Sequence, residues 1–357
     1  MKKGKVIVGL SGGVDSTVAA YLLKEQGYEV IGVTMEMWQG AHSAEAIRDA
    51  RRVAEAIGIP FAVLDFTKEF RACVVEDFIT QYQQGLTPNP CIVCNRRVKG
   101  QALLDKAKEM GAEYIATGHY ARIEKHPKTG RYAVRNSATA VKDQTYALYR
   151  LSQEQLSAML LPIGEYTKEA VREIAEKIDG FVAKKGDSQD ICFIPDGDYA
   201  AFIERESGER GRAGDFVDME GNVVGRHKGL IHYTVGQRKG LGLSLGKPVF
   251  VYGVDTEKNQ VRLCDNETLF QRKVCAGSLA HMAYERFAEG MRFQAKIRYA
   301  HKAAWCTVTR AEADYLEVTF DEPQRAITPG QSLVLYDGEY VAGGGFVLPA
   351  GMEKERE

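Results

Sequence analysis

No apolar stretch in these 357 residues approaches the roughly 20 residues that cross a bilayer, so a membrane-spanning helix is not expected. The start is basic (Lys2, Lys3, Lys5), but the run Val6-Ile7-Val8-Gly9-Leu10 is too short for the core of a signal peptide. A disulfide framework is also missing. Seven cysteines, an odd number in a chain this long, suit a reducing cytoplasm, where a special cysteine is a ligand or a nucleophile. Charge of either sign is not in excess: the net charge is −1, so a nucleic-acid partner would have to be held by local patches. Internal repeats are lacking too, and a composition 45% hydrophobic and 27% charged excludes disorder as the main state. At about 100–200 residues per domain, two or three domains fit the length.

What is present first is alternation. Strand patterns at 5–10, 29–35, 61–65 and 113–117 alternate with helical patterns at 16–26, 43–57, 67–84 and 94–110. Gly27, Gly58, Gly85 and Gly111 each follow a helical stretch, where a C-terminal cap wants a left-handed residue. Such a series argues for a parallel sheet covered by helices. Residues 120–150 look like a hairpin excursion turning at His126-Pro127-Lys128-Thr129-Gly130, and helical patterns follow at 152–160 and 167–178. Beyond about residue 205 glycines crowd in, and alternating strands at 248–254 and 260–263 take over. From about 275 the chain reads as all-β, at 292–300, 304–310, 315–320, 332–337 and 340–347. The expected class is therefore α/β: a Rossmann-like parallel-sheet domain over 1–204, a small β-rich module over 205–274, and a β-barrel domain over 275–357.

The sharpest motif is Ser11-Gly12-Gly13-Val14-Asp15-Ser16, between the first strand and the first helix. Glycines let backbone N–H groups turn inward, and the helix that follows presents its positive end, so the loop can cradle an anion. A Gly-rich turn with a Ser/Asp cap would read the same way, but position decides. The motif follows the first strand of a parallel sheet, where such sheets bind ligands. It is not a Walker A loop, because no Lys-Ser/Thr follows, and Gly242-Leu243-Ser244-Leu245-Gly246-Lys247-Pro248 fails that spacing as well.

This loop resembles the PP-loop of the ATP pyrophosphatase superfamily, whose members cleave ATP between the α and β phosphates. Four further segments narrow the resemblance: Thr87-Pro88-Asn89-Pro90-Cys91-Ile92-Val93-Cys94-Asn95, Ala116-Thr117-Gly118-His119-Tyr120, Lys142-Asp143-Gln144-Thr145-Tyr146 and Asp187-Ser188-Gln189-Asp190-Ile191-Cys192-Phe193-Ile194. In this order they are similar to the bacterial tRNA-specific 2-thiouridylases, which thiolate the wobble uridine. The likeness continues through residues 232–240, Lys296-Ile297-Arg298-Tyr299 and Pro329-Gly330-Gln331. It implies ATP with Mg2+ held at Gly9, Leu10, Ser11, Gly12, Gly13, Val14, Asp15, Ser16 and Met35, with Gly118 near the adenosine. It implies that Asn89, Pro90 and Cys91 touch the target base, and that His119, Lys142, Asp143, Gln144, Arg298, Tyr299 and Gln331 contact tRNA. Cys94 and Cys192 would be the catalytic thiols, fed by a sulfur-donor protein such as a cysteine desulfurase relay, and the acceptors would be the Lys, Glu and Gln tRNAs. Members often carry an aspartate where this chain has Cys91. A monomer is the default expectation.

The residue types suit that chemistry by themselves. The C2 carbonyl of uridine is a poor electrophile with a poor leaving group, and adenylation of its oxygen makes AMP the leaving group. A thiolate can carry and donate sulfur as a persulfide. Cys192 lies in a Gly/Asp/Ser-rich loop, as an accessible nucleophile would, and Cys94 stands near a helical N-terminus, where the dipole favours a thiolate. Cys73, Cys264, Cys275 and Cys306 read instead as small hydrophobes. Cys91-x-x-Cys94 also has metal spacing. A structural zinc would want four ligands, and no second Cys-x-x-Cys exists in the chain. Cys91, Cys94 and Cys192 with one open position could hold a [4Fe-4S] cluster, an arrangement that resembles other tRNA thiolases. For tRNA, residues 221–247 hold Arg226, Lys228, Arg238, Lys239 and Lys247 beside His227, His232 and Tyr233, with no acidic residue. Lys184-Lys185 and Arg96-Arg97-x-Lys99 could extend this track. Two other classes remain in view: a PP-loop ligase acting on a small molecule, and a non-catalytic tRNA- or nucleotide-binding protein.

Overall fold

The computed structural model of the chain describes residues 3–38, 41–139, 142–186 and 191–349. Its first sheet is built from β1 (Lys5–Gly9), β2 (Glu29–Glu36), β3 (Phe61–Asp65) and β4 (Tyr114–Ala116). After a hairpin of β5 (Ala121–Lys125) and β6 (Tyr132–Asn136), β7 (Met159–Leu160) completes it. The order is β3-β2-β1-β4-β7, with every pairing parallel. Val6, Ile7 and Val8 are all fully buried, which is why β1 reads as an unbroken apolar run: both faces of the sheet are covered. The chain runs from β1 outward to β3 and then returns to the far side of β1 with β4. The crevice at the carboxyl ends of β1 and β4 is thus the switch point where such sheets take ligands.

The second sheet is four-stranded, in the order β10 (Phe250–Asp255), β11 (Gln260–Cys264), β8 (Gly214–Val217), β9 (Val223–His227). The third contains β12 (Phe270–His281), β13 (Arg292–Lys296), β14 (Ala304–Ala311), β15 (Tyr315–Arg325), β16 (Ser332–Asp337) and β17 (Tyr340–Val347). These six close into a barrel in the order β12-β15-β14-β13-β16-β17, with β17 pairing back onto β12. Burial alternates along β13, as it must when one face points into a small barrel. The α/β reading with a C-terminal barrel therefore holds. The hairpin of β5 and β6 joins the barrel sheet rather than the first, through the Tyr340–Arg135 pairing with β17. That stitches the front of the chain to its end.

Several local readings needed correction. The expected helix 152–160 stops at Ala158, after a capping box of Ser152 and Gln155, and Met159 and Leu160 become the edge strand β7. Helix Tyr199–Ser207, capped by the Asp198 side chain, was not anticipated; at nine residues it is too short for a clear period. The stretches read as continuous helices at 67–84 and 94–110 each contain a wider π-helical turn, at Arg71–Val75 and Arg97–Ala102. No helix among the described residues is long and apolar enough to cross a membrane.

Candidate functional site

The phosphate loop joins β1 to the helix Val14–Glu25, and its own side chains stiffen it. The Ser11 backbone N–H donates to Ser16 Oγ at 3.2 Å, and the two serine hydroxyls lie 3.1 Å apart. Ser16 Oγ and Thr17 Oγ1 both donate to the Gly13 carbonyl, at 3.2 and 2.8 Å. Gly12 has φ +71°, and a Cβ there would lie 2.8 Å from the Asp49 Cβ, so only glycine fits the turn. Leu10 and Val14 point into the core, leaving backbone as what they can offer a ligand. Met35 packs beside Gly9: its terminal methyl would lie 3.4 Å from a Cβ at that glycine. Gly118 presses on the loop from β4, where a Cβ would stand 2.6 Å from the Asp15 carbonyl carbon. Residues expected to line the nucleotide site thus come together at the switch point.

Asp15 is held from outside the loop. Its Oδ1 accepts from the Tyr120 hydroxyl and from Lys168 Nζ, each at 2.7 Å. Lys168 is 9% exposed and its ammonium lies 5.6 Å from the centre of the Tyr120 ring. Lys185 reaches the loop as well, donating to the Gly12 carbonyl at 3.1 Å and pairing with Asp49. Lys185 is therefore bound to the phosphate loop, which corrects its assignment to a tRNA track.

The two expected catalytic cysteines converge from 98 positions apart in sequence, and Lys99 stands between their influences. Cys94 lies in the helix Pro90–Arg96, buried, with its thiol 4.0 Å from the Met37 sulfur. Cys192 is exposed, but Phe193 and Ile194 beside it are buried. Phe193 is clasped by Phe70, Phe78, Trp38 and Phe202, with ring centres 5.2–6.2 Å apart. Burial pushes the Cys94 thiol up to about 12, against the pull of Lys99, and charge at Cys192 or Cys91 would push it further. Burial likewise raises the Cys192 thiol, with Lys99 opposing. The helix-dipole expectation for Cys94 is not met: the helix starts at Pro90, so Cys94 lies past the first turn where the dipole acts, and burial raises its thiol. Burial acts against the Lys99 ammonium, yet the sulfurs of Cys94, Cys91 and Cys192 together hold its pKa above the ordinary value. His119 completes the group. Its Nδ1 shares a hydrogen bond with Thr117 Oγ1 at 2.8 Å, and burial, helped by Lys99, pushes its pKa down to about 3.

Cys91, Cys94 and Cys192 act on one another electrostatically. Among the described residues no group of three or more Cys, His, Asp or Glu side chains gathers to hold a metal ion. Cys264 and Cys306 are buried as expected, whereas Cys73 and Cys275 are only half-buried.

Of the residues expected at tRNA, several have their side chains already engaged. Asn89 caps its helix by accepting from the Cys91 N–H at 3.2 Å, Pro90 opens that helix and is buried, and Cys91 is exposed. Asp143 accepts from the N–H of Ser137 and from the N–H and hydroxyl of Thr145, so its carboxylate shapes its own turn. Gln144 Oε1 accepts from the Tyr120 N–H at 2.9 Å. Half-buried Lys142 lies close enough to Tyr299 to act on its hydroxyl, as does Cys91. Tyr299, 46% exposed, donates to the Asp143 carbonyl at 3.3 Å. Arg298 donates to the Arg325 carbonyl at 3.0 Å, and Gln331 to the Thr87 carbonyl at 2.7 Å. Asp187, Ser188, Gln189 and Asp190 lie outside the described residues.

In the basic stretch 221–247 the charges are not all uncompensated, since Arg226 pairs with Asp215 at 2.8 Å. His227 is buried, donating through Nε2 to the Asn259 carbonyl and accepting the Gly229 N–H at Nδ1, and Tyr233 is buried beside it. Neither can serve a phosphate. Lys228, Arg238, Lys239 and Lys247 have no ion-paired carboxylate among the described residues. Sequence reasoning missed Tyr120 and Lys168 as partners of Asp15, and Lys99 as the cation of the thiol group. Each is a common residue type whose role exists only once distant segments meet.

Family models match three successive parts of the chain. The model of the tRNA methyl transferase HUP domain matches residues 4–196. Models of the tRNA methyl transferase PRC-barrel domain and the aminomethyltransferase beta-barrel domain match 200–265 and 271–347. The chain is 54% identical over 355 residues to the tRNA-specific 2-thiouridylase MnmA of Lachnoclostridium phytofermentans, covering 96% of this chain and 99% of that protein. It is 51% identical over 352 residues to the protein of the same name from Clostridioides difficile, covering 96% and 98%. A solved structure, the U34-tRNA thiolase NcsA from Methanococcus maripaludis with its [4Fe-4S] cluster, aligns over 57% of this chain and 67% of its own. At 18% identity and a TM-score of 0.36, that likeness is too distant to bear on the sulfur route.

Proposed function

The chain belongs to the tRNA-specific 2-thiouridylase family, and from that premise we propose that it thiolates the wobble uridine of the Lys, Glu and Gln tRNAs at the expense of ATP. The observation that supports this most is the segment Thr117–Tyr120. It touches the phosphate loop through Gly118 and Tyr120, and its His119 feels the charge of Lys99, the same charge that both thiols feel. An activated base bound there would have AMP on one flank and sulfur on the other.

In this reading the loop 9–16 binds the departing pyrophosphate while the uridine O2 attacks the α-phosphorus and forms an O2-adenylate. Mg2+ fits as a companion of the phosphates rather than a resident ion, because one carboxylate plus substrate oxygens is its usual binding mode. Asp15 would hold it, and the ion would neutralise charge on the pyrophosphate. A donor protein loads Cys192, the exposed thiol, as a persulfide. Cys94 then attacks the inner sulfur, closes a Cys94–Cys192 disulfide and expels sulfide. The sulfide adds to C2 and AMP leaves with the former O2. A thiol reductant reopens the disulfide with two electrons. Lys99 supplies the positive charge that the sulfur anions need in this partly desolvated place. Neutral His119 can share a hydrogen bond with the base without repelling Lys99.

We take 1–204 as the catalytic unit, 205–274 as a tRNA-binding module and 275–357 as the barrel that presents Arg298 and Tyr299, all acting in the cytoplasm. Mass analysis of tRNA hydrolysates from cells lacking the gene tests the reading. Loss of 2-thiouridine from wobble positions is expected, and an unchanged 2-thiouridine content would overturn it.

A further inference from the structure

Tyr120 occupies a place that neither the phosphate loop nor the tRNA-facing residues explain alone. Its ring is 2% exposed, and its hydroxyl donates to Asp15 Oδ1 at 2.7 Å. Its backbone is clamped at both ends by one residue: the Tyr120 N–H donates to Gln144 Oε1 at 2.9 Å, and the Gln144 N–H donates to the Tyr120 carbonyl at 3.0 Å. The turn that carries Gln144 is held in turn by the barrel, since Tyr299 donates to the adjacent Asp143 carbonyl at 3.3 Å. Four hydrogen bonds thus run from the exposed Tyr299 on the barrel, through the 143–144 turn and Tyr120, to the carboxylate of the phosphate loop. Gly118, two residues earlier, is packed so tightly against the Asp15 backbone that the segment cannot shift without moving the loop.

We propose that Tyr120 is a positioning residue that couples tRNA docking at the 142–144 turn and Tyr299 to the state of the phosphate loop, so that tRNA tightens the site for ATP. The inference rests on the reading of these residues as tRNA contacts. Ordering the turn fixes Gln144, Gln144 fixes Tyr120, and the Tyr120 hydroxyl together with Lys168 fixes Asp15 for the phosphates. Thermodynamic reciprocity requires that ATP tighten tRNA by the same factor.

The test measures affinity for the α,β-methylene analogue of ATP, with and without unmodified substrate tRNA, on the full-length wild type and on Tyr120→Phe. The variant keeps the buried ring and loses only the hydroxyl, and tRNA affinity measured without nucleotide should stay as it was. Wild type should show tightening of about tenfold, within the usual range of such couplings, and Tyr120→Phe less than about twofold. Should Tyr120→Phe fold poorly, Gln144→Ala cuts the same line outside the buried ring and should also lower the ratio. An undiminished ratio in the folded variants would overturn the proposal, as would a wild type that binds tRNA without changing its affinity for the analogue. Both results would leave the thiolation reading standing, whereas failure to bind tRNA at all would remove that reading and this one together.

Discussion

The phosphate loop and the thiol centre are built by different means. The loop is held by short hydrogen bonds, several of them among its own residues within five positions, and its shape depends on glycine at Gly12 and Gly118. The thiol centre is held differently. Cys94 is fixed by burial, Cys192 by an aromatic clasp on its neighbour, and what joins them is the charge of Lys99. A rigid cradle suits a step that needs geometry, the in-line release of pyrophosphate. An electrostatic pocket suits a step in which sulfur must approach, accept charge and leave. The two halves should therefore fail differently when disturbed.

The largest effects should divide the halves cleanly. Asp15→Ala is expected to cut ATP–pyrophosphate exchange at least about a hundredfold, roughly 3 kcal/mol of lost transition-state stabilisation. Cys192→Ser should abolish thiolation and leave exchange intact. Exchange measured beside thiolation on both variants checks this, and a Cys192→Ser protein that has lost exchange would merge the two halves.

Lys99→Met should lower thiolation about tenfold or more near neutral pH, because the charge that opposes burial at both thiols is then gone. The sign follows from the direction of its effect. Lys99 lowers the thiol pKa values against burial, so its removal moves the rise of the pH–rate profile to higher pH, and activity should recover in part on the alkaline side. Lys99→Arg should retain most of the rate. His119, already pushed to about 3, should add no inflection between about pH 5 and 9. A Lys99→Met profile that falls without moving would point to lost packing rather than lost charge.

Reversing Arg238 and Lys239 together should weaken tRNA binding about tenfold and reduce the salt slope of log affinity by about two, with nucleotide affinity unchanged. An unchanged slope would make this loop mere solvated surface. The smallest effect is expected of Cys91→Ser, which should alter thiolation by no more than about twofold, because the persulfide route asks nothing of an exposed third thiol. A Cys91→Ser protein as inactive as Cys94→Ser, from a brown wild type carrying iron, would instead favour a cluster.

How much of this was legible in the sequence follows from the same contrast. The loop announces itself because its glycines, its serines and Asp15 are contiguous, and β1 reads as a buried parallel strand because both its faces are apolar. Strands 61–65, 332–337 and 340–347 were readable to the residue for a similar reason: alternation or apolar runs bounded by turn residues. Lys99 was visible only as one more basic residue, because nothing in its neighbourhood reveals the partners it meets 93 positions later at Cys192. Tyr120 and Lys168, 48 positions apart, become the holders of Asp15 only through the return of the chain past β4. Desolvation was the other hidden quantity. A helix-terminal position argued for a reactive Cys94, and its depth, which no local pattern encodes, reversed the direction of the shift.

The central claim is that ATP cleavage and sulfur transfer are successive steps on one uridine. It is tested most directly by a single-turnover reaction of the purified, persulfide-loaded protein with unmodified substrate tRNA and ATP labelled at the α-phosphate. AMP, pyrophosphate and 2-thiouridine are counted together. The account predicts equal amounts of all three, with adenylated tRNA accumulating in place of 2-thiouridine when Cys192→Ser is used. Thiolation without AMP release, or cleavage of ATP to ADP, would contradict it.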